Sequence, residues 1–340
     1  MKFNTVLSYG KLAFPVMATL TLGLATAAQA ATLGQAADFN LFVLGDATQN
    51  GTDVEGRVAI GGNATLSNYF AGMALTPSPN NGDTLVVGNN LSFVNGSVTG
   101  NAVYGGSADV SNVNFNQGSL RQGRPIDFNA AGAELRQIST SLSSLTTNGT
   151  TSIGEFDRGI SLRGTNSELN VFNVLGSDLA QATSFNIDAP TDSTVIVNIN
   201  GNSGRFSSLG FNLTGINRQQ VLYNFFEATN LTASAIGIQG SLLAPNAAFD
   251  FNNGVINGNL IVGSLSGSGQ TNLSLFRGRI PQQPPTPTPP TPTPPTPTPP
   301  TPTPPTTSVP EPTSVLALGL VAGLASLFLR QSKKAAKTIS

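Results

Sequence analysis

The sequence predicts an all-β domain, a parallel β-helix (solenoid) with one packed amphipathic helix, followed by a polyproline stalk and a single C-terminal transmembrane helix. Three observations predict it. Short runs of Val, Ile, Leu and Phe alternate with Asn, Ser, Thr and Gly across residues 32–280, as in DVEGRVAIGGNATLSN (53–68) and STVIVNINGNSGRF (193–206). Period-two alternation broken by Gly and Asn marks short strands joined by tight turns. Similar units recur at a nearly fixed interval: GSLLAPNA and GNLIVGSL start at Gly240 and Gly258, and VVGNN and VYGGS place glycines at Gly88 and Gly105. That interval is near one solenoid coil. Inside such a coil, Leu243, Ile256 and Ile261 are expected to point inward in stacked layers. The third observation is a departure. In FNAAGAELRQISTSLSSLTTNG (128–149), Leu135, Ile138, Leu142 and Leu145 recur at helical spacing, with Asn148-Gly149 as a stop.

The elements follow in chain order. Residues 1–30 read as a signal peptide: Lys2 and Lys11 precede an apolar core at 12–25, and small residues at Ala28 and Ala30 set cleavage before Ala31. Residues 31–280 are the folded body, with 16 acidic residues, 10 arginines and no lysine, a net charge of −6. A nucleic-acid footprint needs a concentrated basic face, so nucleic acid is excluded as a partner. Residues 281–308 are a Pro/Thr-rich linker in which TPTPP repeats; proline locks φ and removes backbone donors, leaving extended polyproline II. Residues 309–340 hold an uncharged apolar run, Thr313 to Leu329, followed by Arg330, Lys333, Lys334 and Lys337. Its length is at the low end for a membrane-spanning helix, and the basic flank places the tail in the cytoplasm.

Composition narrows the chemistry. The chain contains no Cys and no His, which removes thiolate and imidazole metal sites, disulfides, and nucleophilic machinery that depends on either group. The remaining acidic candidates are Glu155 with Asp157, which would share a strand face, and Asp188 with Asp192. Hard oxygen ligands for calcium are offered by NNGD (80–83) and DFNN (250–253), although neither has the spacing of a calcium loop. No other cofactor is expected, and no catalytic residue is assigned.

Three resemblances follow from quoted residues. VPEP, a single apolar span and a short basic tail are similar to the PEP-CTERM sorting signal, whose motif maps onto Pro310, Glu311 and Pro312, with Arg330 opening the basic flank. That resemblance implies an exosortase-type membrane protease or transpeptidase as partner, transient anchoring in the inner membrane, and an envelope, exopolysaccharide or biofilm setting. FNLFVLGD (39–46), VEGRVAIGGNATLSNY (54–69), VLYNFFEATNL (221–231) and GSLLAPNA (240–247) resemble the choice-of-anchor A family over nearly all of residues 32–280. The chain departs from that pattern at GSGQTNLSLFRG (267–278), where a Glu and a His are more common. The order of β coils, one helix and the paired GSLLAPNAAF and GVINGNLIVGS segments is also similar to β-helical ice-binding proteins. Their ice faces are flat arrays of small and hydroxylated residues, whereas Thr and Ser here look scattered, with no Thr-x-Thr ladder. The expected function is that of an exported cell-surface or extracellular-matrix protein, structural or adhesive, contacting polysaccharide or surface proteins. A carbohydrate-active enzyme and an ice-binding protein are the alternatives.

Overall fold

A computed structural model of the chain describes residues 32–78 and 82–281. The expected signal segment, most of the linker, and the sorting tail with its apolar span lie outside these residues. Among the described residues, no helix is long and apolar enough to cross a membrane.

Nineteen of the described strands join in one hydrogen-bonded sheet and four in a second. The sheets wrap as a parallel solenoid, as the repeat interval predicts, and the solenoid has three sides. Coil length varies more than the spacing of glycines suggests. The coils from Leu41 to its partner Val58, from Leu85 to Ala102 and from Leu242 to Leu260 are short and nearly equal. Those from Val58 to Leu85 and from Val195 to Val221 are about half as long again, because the extra chain is spent at corners.

The coils do not stack in chain order. From Leu41–Val43 the chain climbs through Val58–Ile60, Asp83–Val87 and Asn101–Tyr104 to Leu120–Gln122. It then returns along the outside as helix α1, Phe128–Ser143, and restarts at Leu169–Leu175 at the other end. Successive coils from there climb in the same direction until Leu260–Gly267 pairs with Leu41–Val43. The first coil and the last therefore meet in mid-solenoid. Backbone bonds cross the seam from Leu44 N to Val262 O (2.9 Å), Gly45 N to Gly263 O (2.7 Å) and Leu260 N to Asn40 O (2.8 Å). Two buried amides staple it. Asn40 donates to Gly258 O at 2.6 Å and accepts from Gly56 N, and Asn259 donates to Phe39 O at 2.7 Å.

We call the helix-covered side face A and the next two sides along the chain faces B and C. The corner between B and C is left-handed in coil after coil: Ser208, Ala235, Asn253, Gly51, Asn68, Asn95 and Asn112 all have φ between 47° and 64°. Asn tolerates that region because its short amide bonds locally, and here Asn112 donates to Asn95 Oδ1 of the preceding coil at 2.7 Å. At the corner between A and B, glycine is required by close approach. A Cβ on Gly88 would overlap the carbonyl oxygen of Gly61, and one on Gly105 the carbonyl oxygen of Gly88.

The core has two layers. One fills the solenoid, with Tyr69, Phe93, Phe172, Phe185, Phe249 and Ile256 fully buried. The other lies between face A and α1 and holds Phe42, Leu135, Leu142, Leu222, Leu243 and Ile261. This corrects one expectation: Ile256 points inward, but Leu243 and Ile261 point out of the coil into the layer beneath the helix. They are buried because α1 covers them. The helical stripe is as expected, with Leu135 and Leu142 buried and Ile138 and Leu145 packed at its margin. Asp127 caps the N-terminus by accepting from Asn129 N and Ala130 N. The helix ends at Ser143, and Asn148-Gly149 serves a different purpose from a helix stop. Asn148 accepts from Val171 N at 2.7 Å and donates to Leu169 O at 2.8 Å, while Gly149 lies against the Phe172 ring. The pair closes the end of the solenoid.

Each turn of α1 sits on about one coil, since a helical turn of about 5.4 Å is close to the strand spacing of about 4.8 Å. Leu142 O accepts from Asn198, Ser139 exchanges bonds with Asn224 in the adjacent strand, and Asn224 donates to Asn198 Oδ1 at 2.8 Å. Asn198 and Asn224 are fully buried, so each bond is needed to offset burial of an amide.

Two stability outcomes follow. Ile261→Asp places an unpaired charge in the layer beneath α1 beside the seam, and urea unfolding should show a loss of about 4 kcal/mol. Asn224→Ala leaves Asn198 and Ser139 short of partners and should cost about 2 kcal/mol in the same measurement.

Candidate functional site

Face B is one continuous parallel ladder. Its central column runs Arg205, Thr232, Asp250, Ser266, Thr48, Thr65, Ser92 and Asp109, each side by side with the next across one strand pairing. At about 4.8 Å per strand the column is roughly 34 Å long. The strand alternation turns these side chains outward while their neighbours Leu66, Phe93, Leu231 and Phe249 fill the core. Between Asp250 and Asp109 lie four successive uncharged hydroxyl residues, Ser266, Thr48, Thr65 and Ser92. The side chains of Thr48, Thr65 and Ser92 make no hydrogen bond to other described residues.

Ordered amides and hydroxyls border the column. On the corner toward face A, Asp46, Asn63 and Asn90 each accept from the backbone N–H one coil on, at Asn63 (2.7 Å), Asn90 (3.4 Å) and Ser107 (2.9 Å). On the corner toward face C, Asn50 Oδ1 accepts from Ser67 Oγ at 2.7 Å and from Asn68 at 3.2 Å. The border side chains are thus held in place by bonds between coils, and the hydroxyls of Thr48, Thr65 and Ser92 stand free between them, while Ser266 donates to Asp250 at 3.3 Å. A recess along the column is lined by Thr48, Thr232, Asp250 and Ser266.

The expectation of scattered hydroxyls holds within each strand and fails between strands. Ser266 and Thr48 are neighbours across the seam although they come from opposite ends of the domain sequence, and Thr65 and Ser92 are brought together over one of the long coils. No period in the sequence exposes this file. Knowledge of which residue begins each coil would have been needed.

The acidic candidates do not converge. Glu155 and Asp157 lie in a turn after Thr150–Ile153 and not on a strand, because the chain reverses between Gly154 and Gly159, where Gly154 N donates to Gly159 O. Asp157 accepts from Gly159 N and shapes that turn. Asp188 lies on face C, 3.7 Å from Arg163, and Asp192 accepts from Gln220 at 3.4 Å. Of the calcium candidates, Asp83 pairs with Arg121 at 2.6 Å, and Asn80 and Asn81 are outside the described residues. Asp250 accepts from Asn252 and from Ser266 within face B. Among the described residues no three His, Cys, Asp or Glu groups gather as metal ligands. On face C, burial and the neighbouring Glu55 raise the Asp53 carboxyl above its ordinary range, opposed by a hydrogen bond from Gln270. Burial likewise raises the hydroxyls of Tyr69 and Tyr223. The processing residues Ala28, Ala30, Ala31, Pro310, Glu311, Pro312 and Arg330 lie outside the described residues.

Comparison with known proteins gives one family and several solved structures. The family described as "Putative Ice-binding-like adhesive domain" matches residues 32–273. No curated protein matches the chain. Among solved structures, the chain is similar to the Shewanella frigidimarina ice-binding protein_1 DUF3494 domain, with 13% identity, TM-score 0.40, and 74% of this chain and 99% of that one covered. It is also similar to an ice binding protein from an Antarctic Biological Consortium, with 10% identity, TM-score 0.39 and coverage of 80% and 96%. A third is the ice-binding protein LeIBP from an Arctic yeast, with 13% identity, TM-score 0.31 and coverage of 75% and 98%. The assignment rests on the family match, which takes in the seam, both groups of coils and all of face B: the chain belongs to the ice-binding-like adhesive domain family.

Proposed function

We propose that the domain is a non-enzymatic adhesive module that lays face B on an extended, ordered surface of hydrogen-bonding groups, ice being the surface it fits best. The observation that carries this reading is the uncharged file Ser266, Thr48, Thr65 and Ser92, one hydroxyl per coil. Small side chains on a rigid ladder lose little entropy when they bind, and a regular array can engage a regular partner at many weak points together. An extended ladder of outward side chains suits an extended partner better than a small substrate, which an enclosing pocket would hold. A second reading, adhesion to polysaccharide, is favoured by Arg205, Asp250 and Asp109, whose strongly hydrated charges interrupt the file toward its ends.

Display at the cell surface or in the extracellular matrix belongs to the same proposal. It is supported by the signal-like residues 1–30, the proline spacer and the PEP-CTERM-like tail, with an exosortase-type enzyme as processing partner. The choice-of-anchor A resemblance supports it too, as does the description of the family as adhesive.

Thr48→Tyr combined with Thr65→Tyr should lower partition of the purified domain into growing ice by at least about tenfold, near 1.4 kcal/mol. Its melting temperature should not change, because both side chains point to solvent. A double variant that partitions like the parent would sink the face B reading, and parent protein retained on insoluble glucan but absent from ice would favour polysaccharide. For the tail, Glu311→Ala should leave export intact and accumulate an uncleaved membrane form on immunoblots of cell fractions. Normal processing of that variant would reduce the tail to a simple anchor.

A further inference from the structure

The two ends of the solenoid differ. At one, Asn148 and Gly149 cover the strand Leu169–Leu175, and Thr150–Ile153 adds antiparallel to Ile160–Arg163. At the other, Ala108–Asn116 pairs on one side only, with the coil beneath it, and nothing described lies on its outer edge. Val110, Val113 and Phe115 point into the core there but are only half-buried, because no further coil covers them. Such an edge offers unpaired N–H and C=O groups beside exposed apolar side chains, and natural solenoids protect their ends with a cap.

We propose that this open end is a self-association surface, on which two copies of the chain meet end to end about a two-fold axis with strand Ala108–Asn116 of each paired antiparallel. The strand is self-complementary in the register that turns inward residues toward inward ones. Ala108 then faces the partner's Phe115, a small side chain against a large one, and Val110 faces the partner's Val113. On the outer side Asp109 meets the partner's Asn114, an acceptor against a donor, and Ser111 meets the partner's Asn112. No like charges oppose each other along the strand, which such pairing requires. The bend at Asn112, φ 54°, divides the strand into an arm on face B and an arm on face C. The axis through that corner exchanges the two arms, so the contact closes on itself as an isologous dimer. Arg121, on the neighbouring strand, is bound to Asp83 within its own copy at 2.6 Å.

The described chain leaves far from this end. Arg279 N donates to Thr194 Oγ1 at 2.7 Å, on the second face A strand from the capped end. Resting on the stalked display proposed above, the pair would join domains held by opposing surfaces. The pairing itself requires neither that display nor any ligand of face B.

The chain has no cysteine, so disulfide trapping reports the register directly. Domain carrying Ser111→Cys is mixed with domain carrying Asn112→Cys under mild oxidation. The control mixes Ser67→Cys with Asn68→Cys, the equivalent corner positions two coils inward. The first mixture should cross-link at least about tenfold faster, because facing residues on paired strands lie within disulfide reach. In sedimentation the parent should dimerise below about 100 μM, and so should the Thr48→Tyr, Thr65→Tyr variant. Val110→Lys, at the half-exposed edge, should remain monomeric with an unchanged sheet spectrum. Equal cross-linking in the two mixtures, or a parent that stays monomeric over that range, overturns the proposal.

Discussion

The fold depends on a backbone seam between residues that the chain meets first and those it meets last. Coils 41–122 are built outward from the seam and coils 169–272 inward toward it, so neither set is a complete solenoid without the other. The cost falls on chain entropy, since contacts between opposite ends of the domain sequence must form before either half gains a neighbour at its inner edge. Asn40 and Asn259 explain how the register is held. An extended strand could slip along its partner by two positions and still present apolar side chains inward. Two buried amides bonded to particular carbonyls penalise any such slip.

The seam also makes face B. Without it, Ser266 would end one array of hydroxyls and Thr48 would begin another, each too short to span an extended surface. With it, a file of one hydroxyl per coil passes through the point where the sequence is most discontinuous. The bordering amides that bond from coil to coil keep the backbone beneath that file at constant spacing. Rigidity is thus located at the two corners, and the hydroxyls of Thr48, Thr65 and Ser92 between them are left to an outside partner.

How much of this could be read from sequence depended on how local each cause was. The α1 stripe was legible because Leu135 and Leu142 follow the helical period and touch one continuous layer. The coil length was legible at Gly88, Gly105, Gly240 and Gly258, where close approach of the neighbouring coil leaves no room for a Cβ. The longer coils, such as Val58 to Leu85, hid the same period behind corner insertions. Leu243 and Ile261 were assigned to the wrong layer because alternation reports that a side chain is buried but not which side of the sheet buries it. Asn148-Gly149 resembles a helix stop in sequence, and only the exposed edge of Leu169–Leu175 shows what it closes. The rows of face B had no sequence signature, since each row samples one residue from coils of unequal length.

The match between α1 and the coils beneath it has a limit built in. A turn of about 5.4 Å laid over strands about 4.8 Å apart drifts by about 0.6 Å per turn, like the two scales of a vernier. Over the 16 residues of Phe128–Ser143 the drift reaches about half a strand spacing. A straight helix of about twice this length would drift by a whole strand spacing and so could not keep one register against the coils beneath it. The length of a straight covering helix is therefore set by beat frequency as much as by its own caps, and a solenoid of this kind with more coils would have to cover them with a bent helix or a second one.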